Sequence, residues 1–348
     1  MASGGTEVLG VKSTDSPFSI PSLFTALRMK LTVFRSSDVS PINDFENVRH
    51  VLDDPEAFIL LYLENPDKKD LKALQDCFKL HELAIEDASS AHQRPKLEEY
   101  GETLFMAIHT GQLLETKEIR YGELHIFLST RFIILIQHKS HVDYSPVEER
   151  CHASPEFLNF GAGFILYAVL DYLVDELMLI GVHLQEKLDH LESLIFDNRF
   201  ESSEIQSIYE LKRKVARLHN MSAPVGDMCA ELSRLHPEIV PKELGPYYRD
   251  IQDHVQRTNR LTFMLRDALS DALQVNMSLI TIRQNEVVKR LAGWGAILTL
   301  PTSIFTMYGT NFKYMPLYDW DLGYPIVLTL TGLACRELYK KLKSSGWL

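Results

Sequence analysis

"MYGTNFKYMPLYDWDLGYP", Met307 to Pro325, lies between two uncharged stretches near the end of this 348-residue chain. Its Gly, Asn and Pro residues read as a loop, because glycine admits backbone angles closed to other residues and proline removes a donor. The stretch before it, Leu291 to Tyr308, is "LAGWGAILTLPTSIFTMY", 18 residues without a charge. A spanning helix needs about 20 apolar residues, so this segment predicts a first membrane span, the alternative being a buried core helix of a wholly soluble protein. The stretch after it, Leu322 to Cys335, has only 14 residues before Arg336 and Glu337. It reaches span length if the helix continues through "RELYKKLK" with Arg336 snorkelling to the interface. The expectation is a two-span transmembrane helical hairpin over residues 287–348, with 309–322 as a periplasmic loop.

Charge orients that hairpin. Lys289 and Arg290 precede the first segment, and Lys340, Lys341 and Lys343 follow the second; the loop carries one Lys and two Asp. The positive-inside rule puts both termini in the cytoplasm and the loop outside, in a cell (inner) membrane. The net charge of -11 disfavours a nucleic-acid partner and suits a metal cation. The four cysteines form no CxxC pair, which argues against a disulfide framework or a cysteine zinc site and for a reducing compartment.

Upstream, 45% hydrophobic content is enough for two or three cored units. Residues 1–27 are rich in Ser, Gly and Thr, lack a secretory signal and predict disorder. Residues 28–157 predict an α+β cytosolic domain. "KLTVF", "AFILLYL", "TLFMAIH", "ELHIFLS" and "RFIILIQ" are strand-like, "FLSTRFIIL" is a hairpin, and "DLKALQDCFKL" and "HELAIEDAS" have helical spacing. No Gly-rich phosphate loop, GxSxG or HExxH is present, and the histidines show no ligand spacing, so neither an enzyme nor an organic cofactor is expected.

Residues 158–286 predict a long-helix stalk. Leu170, Val174, Leu177, Ile180, Leu184, Leu188 and Leu191 form an apolar stripe; "SAPVGD" interrupts the pattern and "HPEIVPKELGP" breaks it. Tyr247 to Leu300 is free of proline, which as one helix would span about 80 Å. Two spans cannot enclose a pore, so a channel would require several copies, each lining an axis with one helix. Asn285, Val288, Leu291, Gly295, Thr299, Thr302, Thr306 and Gly309 fall at steps of three and four. That line presents an amide, an apolar constriction and then hydroxyls. Amides and hydroxyls can hold the water shell of a hydrated cation, and an apolar ring can gate by dewetting. The alternative use of such hydroxyls is helix-to-helix packing.

The loop carries a family resemblance. "YGTNF.YMP...W..GYP" with a C-terminal "WL" resembles the CorA magnesium transporter family, whose signature is Tyr-Gly-Met-Asn-Phe. "QNEVVKRL", "YYRDIQDH" and "HELAIEDASSAHQRPKLEEYGETLFM" are similar to other blocks of that family. The resemblance implies a homopentameric funnel in the lipid bilayer, with Gly309, Thr310 and Asn311 as the selectivity filter at the outer mouth. It implies passive influx of magnesium, with magnesium also the regulatory ion: carboxylates between neighbouring subunits, matching Glu86, Asp87, Asp250 and Asp175, would bind it and hold the funnel closed. Thr310, Lys313 and Leu317 depart from the family pattern. The same fold also serves zinc, cobalt or nickel in the proton-coupled ZntB branch. A coiled-coil scaffold that conducts nothing is the alternative of another class.

Overall fold

The computed structural model describes residues 29–35, 38–41, 48, 51–54, 57–139, 142–196, 202–310, 317 and 320–348. Segment 1–27, expected to be disordered, and Asn311 lie outside the described residues.

"FILLYLE" and "FIILIQH" show little polar alternation, as strands do when both sheet faces are covered. They are β3 (Phe58–Glu64) and β7 (Phe132–His138), the parallel centre of a seven-stranded sheet. The other strands are β1 (Met29–Arg35), β2 (Asp38–Pro41), β4 (Lys96–Tyr100), β5 (Thr103–Leu113) and β6 (Ile119–Leu128). The order is β2-β1-β3-β7-β6-β5-β4, antiparallel at every other pairing. The predicted β6–β7 hairpin turns at Ser129, whose Oγ accepts from the Arg131 and Phe132 N–H groups at 3.1 and 3.2 Å.

Successive strand residues point to opposite faces, so each strand serves two cores. Ile59, Leu61, Leu63, Phe105, Ile134 and Ile136 pack under α1 (Lys68–Phe78) and α2 (Glu82–Ser89). Phe58, Leu60, Leu104, Met106, Ile133 and Leu135 face the opposite core. There they meet α3 (Ser145–Ala153), α4 (Ala162–Phe196), α5 (Ser202–Leu235) and the start of α6 (Gly245–Tyr308). Helix α1 starts with a reciprocal cap: Asp67 accepts from Asp70 N–H at 2.9 Å, and Asp70 accepts from Asp67 N–H at 2.7 Å.

"SAPVGD" differs from the expectation. Helix α5 runs through it, with Pro224 in its interior. Proline in a helix interior costs about 3 kcal/mol, but Val225, Met228 and Cys229 are buried in the core on the next turn. Gly226 lets the helix approach closely: a Cβ there would sit 3.0 Å from Val255. "HPEIVPKELGP" breaks the helix as expected, and its Ile239 carbonyl sits where a Cβ on Gly163 would be, 1.9 Å away. Only glycine fits there, and the buried Tyr248 hydroxyl donates to the Gly163 carbonyl at 2.9 Å.

The chain forms two compact units. One holds 1–194 with 200–268, and thus the sheet; the other holds 195–199 with 269–348. In the second, the C-terminal half of α6 and α7 (Gly323–Ser344) make an antiparallel helical pair. Cys335 Sγ lies 3.9 Å from the Ile297 carbonyl, the Trp294 and Tyr339 rings are 6.5 Å apart, and Leu348 reaches to 3.3 Å of the Cβ position of Gly293. Among the described residues, no helix is long and apolar enough to cross a membrane. Thr299, Thr302, Ser303 and Thr306 dilute the first segment, and α7 carries Arg336, Glu337, Lys340, Lys341 and Lys343.

Candidate functional site

Helix α6 has two faces in its uncharged C-terminal stretch, Leu291 to Tyr308. Gly293 is buried, and Ile297, Leu300, Ile304 and Tyr308 are half-buried, at steps of three and four. The contacts at Gly293 and Ile297 place this face toward α7 and the C-terminus. Asn285, Val288, Leu291, Gly295, Thr299, Thr302 and Thr306 are all exposed. Of the predicted path-lining residues, Gly295, Thr299, Thr302 and Thr306 lie on the side that α7 leaves open, while around Asn285, Val288 and Leu291 the whole helix is exposed. Three of their hydroxyls donate back to the helix: Thr299 to the Gly295 carbonyl, Thr302 to Leu298 and Thr306 to Thr302, at 2.8, 2.8 and 2.7 Å. Each proton is thus committed, and each oxygen keeps lone pairs free to accept from a water.

At the end of α6, Gly309 N–H donates to the Phe305 and Thr306 carbonyls at 3.0 and 3.2 Å. Among the described residues, a Cβ on Gly309 would meet the Thr306 and Phe305 carbonyl oxygens at 3.5 and 3.6 Å, ordinary contact. Among the described residues, nothing requires glycine there. Thr310 Oγ1 donates to the Met307 carbonyl at 2.6 Å. Among the described residues farther along, Leu317 packs closely on Gly323. Leu317 adopts φ +67°, a left-handed angle unfavourable for leucine, and its carbonyl lies 1.8 Å from the Cβ position of Gly323. The glycine of "GYP" therefore lets the loop fold onto the start of α7.

The carboxylates fall into two groups. Asp250 and Asp175 are brought together: His254 contacts Asp175 at 3.7 Å through Nδ1 and Asp250 at 3.9 Å through Nε2. Asp171, Asp250 and His254 present ligand atoms all within 4.8 Å of one another. Asp171 is buried and paired with Arg150. Partial burial, then the Asp171 charge, pushes the Asp175 carboxyl above its usual range, which His254 and Arg150 oppose. Carboxylates that repel one another in this way favour a bridging cation.

Glu86 and Asp87 are outside that group. Asp87 accepts from Lys96 Nζ at 2.7 Å, and Lys96 also bonds Glu98 at 2.7 Å. A lysine thus already occupies one carboxylate matched to the family's regulatory set. Glu86 is exposed, and its carbonyl accepts from Ser89. The segment after α2 is anchored by Glu123, which accepts from His92 N–H at 2.7 Å and Gln93 N–H at 3.3 Å. Burial alone would push the Glu123 carboxyl up; His125 and the His92 N–H outweigh it and hold it at about 2.

Sequence reasoning missed Asp171, His254 and Lys96. The i,i+4 spacing of Asp171 with Asp175, and of Asp250 with His254, signals a shared helix face. Which helix opposes which face is decided only by packing, and Lys96 pairs with Asp87 across a loop.

Residues 55–336 match the model of a family described as CorA-like Mg2+ transporter protein. The cobalt/magnesium transport protein CorA of Thermotoga maritima is 29% identical over 273 residues, 78% of each chain. The complete structure of the CorA magnesium transporter from Methanocaldococcus jannaschii superposes with a TM-score of 0.76 at 19% identity. It covers 92% of this chain and 98% of that one. The ZntB cytoplasmic domain of Vibrio parahaemolyticus matches with a TM-score of 0.52 at 10% identity, over 74% of this chain and 99% of that one. At these identities the structural matches establish the fold.

Proposed function

The chain belongs to the CorA-like Mg2+ transporter family, and on that premise we propose that it is a homopentameric membrane channel for passive Mg2+ influx. Five α6 helices surround a wet axial path, and the α7 helices stand outside them in lipid. The single observation that carries this reading is the division of α6 from Gly293 onward into an α7-facing side and an open side bearing Gly295 and the back-bonded threonines.

Exposure of that kind needs a cover. Leu291 is 73% and Leu298 67% exposed in one chain, and on α7 Tyr324 is 72% and Leu330 58% exposed. Neighbouring copies and lipid would cover such a surface, which a soluble monomer rarely carries. Mg2+ sheds its waters reluctantly, so hydroxyl oxygens and a mouth formed by Gly309, Thr310 and Asn311 would read its hydration shell. Irregular backbone at that mouth is tolerated because it faces water. On the cytosolic side, Mg2+ at Asp175 and Asp250, with Asp171 and His254 beside them, and at Glu86 and Asp87 across a subunit boundary, would hold the closed state. Its loss would free like charges to repel.

The test is ion flux into liposomes holding the purified chain, comparing Mg2+ with Zn2+, Co2+ and Ni2+, with and without a pH gradient. Mg2+ entry without a proton requirement, reduced at least about tenfold (~1.4 kcal/mol) in Asn311→Ala, is the expected result. Proton-dependent Zn2+ uptake without Mg2+ flux would transfer the reading to the ZntB branch. No flux of any ion, with Asn311→Ala leaving cellular uptake unchanged, would leave a non-conducting scaffold.

A further inference from the structure

A cleft of about 390 Å³ opens in the sheet-bearing unit between α4, α5 and the turn joining β5 to β6. Three lysines line it: Lys117 from the turn, Lys187 from α4 and Lys214 from α5. The turn is specifically built. Lys117 holds φ +62°, fixed by its N–H to the Leu114 carbonyl at 2.8 Å and by Leu114 N–H to the Glu118 carbonyl at 2.9 Å. Lys187 and Lys214 are half-buried. Burial first, then the Lys214 and Lys117 charges, pushes the Lys187 ammonium below its ordinary value, and Glu210 only partly opposes them.

The acids of the cleft do not neutralise these cations. Among the described residues, none of the three lysines makes an ion pair. Glu210 is exposed and accepts from Gln206 at 3.1 Å. Glu186 is 65% exposed, 3.9 Å from His183 Nδ1. The His183 side chain is 6% exposed, lines the cleft, and has a buried Nε2 without a hydrogen-bond partner. Gathering three ammonium groups costs free energy unless an anion joins them. A phosphate group matches three separate ammonium donors better than a planar carboxylate does, because its oxygens point in three directions. The volume lies near the lower end of the roughly 300–1,000 Å³ usual for small-molecule sites.

We propose that this cleft binds a phosphate group, carried by a small soluble anion or a lipid headgroup and clamped by Lys117, Lys187 and Lys214. The site is independent of the ion path. Its occupancy ties α4 and α5 to the β5–β6 turn.

The test uses the full chain in nanodiscs and Mg2+-free buffer, so that chelation cannot mimic binding. Inorganic pyrophosphate is titrated in phosphatidylcholine nanodiscs by calorimetry and by thermal shift; in a second arm phosphatidylglycerol replaces the zwitterionic lipid. Saturable pyrophosphate binding, weakened at least about tenfold (~1.4 kcal/mol) by Lys187→Met or Lys214→Met, supports a soluble ligand. Stabilisation by phosphatidylglycerol that those substitutions abolish, without pyrophosphate binding, supports a headgroup. Lys117→Gly keeps the left-handed turn, so it serves as the variant that folds if the helix substitutions do not. No saturable effect in either arm, or effects the three substitutions leave unchanged, would overturn the proposal.

Discussion

In the sheet-bearing unit, Phe105, Phe127 and Tyr248 are buried to below 2% exposure; in the unit holding α7, Leu291 and Tyr324 stand 73% and 72% exposed. The first unit buries a two-sided apolar core within its own chain. Strand faces are covered by helices on both sides, and Glu123 is matched to backbone donors. The second unit pairs two helices through Gly293, Ile297 and Cys335 and leaves the remainder open. Packing within one chain therefore covers most of the first unit's core, whereas the second keeps a large apolar surface that the proposed channel would cover with lipid and further copies.

The sharpest way to break that contrast is at the glycines. Gly163→Ala forces a Cβ into the Ile239 carbonyl and is expected to destabilise by about 3 kcal/mol, read by denaturation of the full chain in detergent. Gly295→Ala, where a Cβ meets nothing within 4 Å, should change that stability by less than about 0.5 kcal/mol. Equal losses would mean that the two units do not differ in packing.

Next is the buried carboxylate. The Glu123 carboxyl, at about 2 in the folded chain, lies below its ordinary value. Its stabilisation is fully present above about pH 5 and is lost as pH falls toward 2. Glu123→Gln should cost about 2 kcal/mol at pH 7 and flatten that part of the acid-stability curve.

Gly309→Ala separates flux from folding. No contact among the described residues forbids the methyl group, so stability should hold. Crowding of five copies at the mouth should cut Mg2+ flux about tenfold, ~1.4 kcal/mol on the barrier. Loss of folding instead would move the glycine requirement back into the monomer.

The smallest effect is expected at Lys96. Lys96→Met frees Asp87 and Glu98 from an internal cation. The Mg2+ concentration that half-closes the channel should fall about threefold, ~0.7 kcal/mol, in a flux-inhibition curve. An unchanged midpoint would remove Asp87 from the gating set.

Strands, the β6–β7 hairpin and the long helices were legible because their signals are local: branched and aromatic runs, a turn at Ser129, four-residue leucine steps. Pro224 misled because helix breaking is a local preference, and burial of Val225, Met228 and Cys229 overrides it. The proposed path-lining stripe on α6 could be listed from its spacing, but spacing alone did not say which side α7 would take.

Residue order by itself determined the strand and helix periods, the uncharged segment from Leu291 to Tyr308 and the loop motif that marks the family, since each is a feature of neighbours along the chain. The tertiary structure alone decided that Lys96 neutralises Asp87, that Asp171 and His254 join Asp175 and Asp250, and that three lysines converge on one cleft. Those meetings are between residues far apart in sequence. They depend on which faces of the sheet and helices pack together, and burial of apolar surface over the whole unit sets that choice.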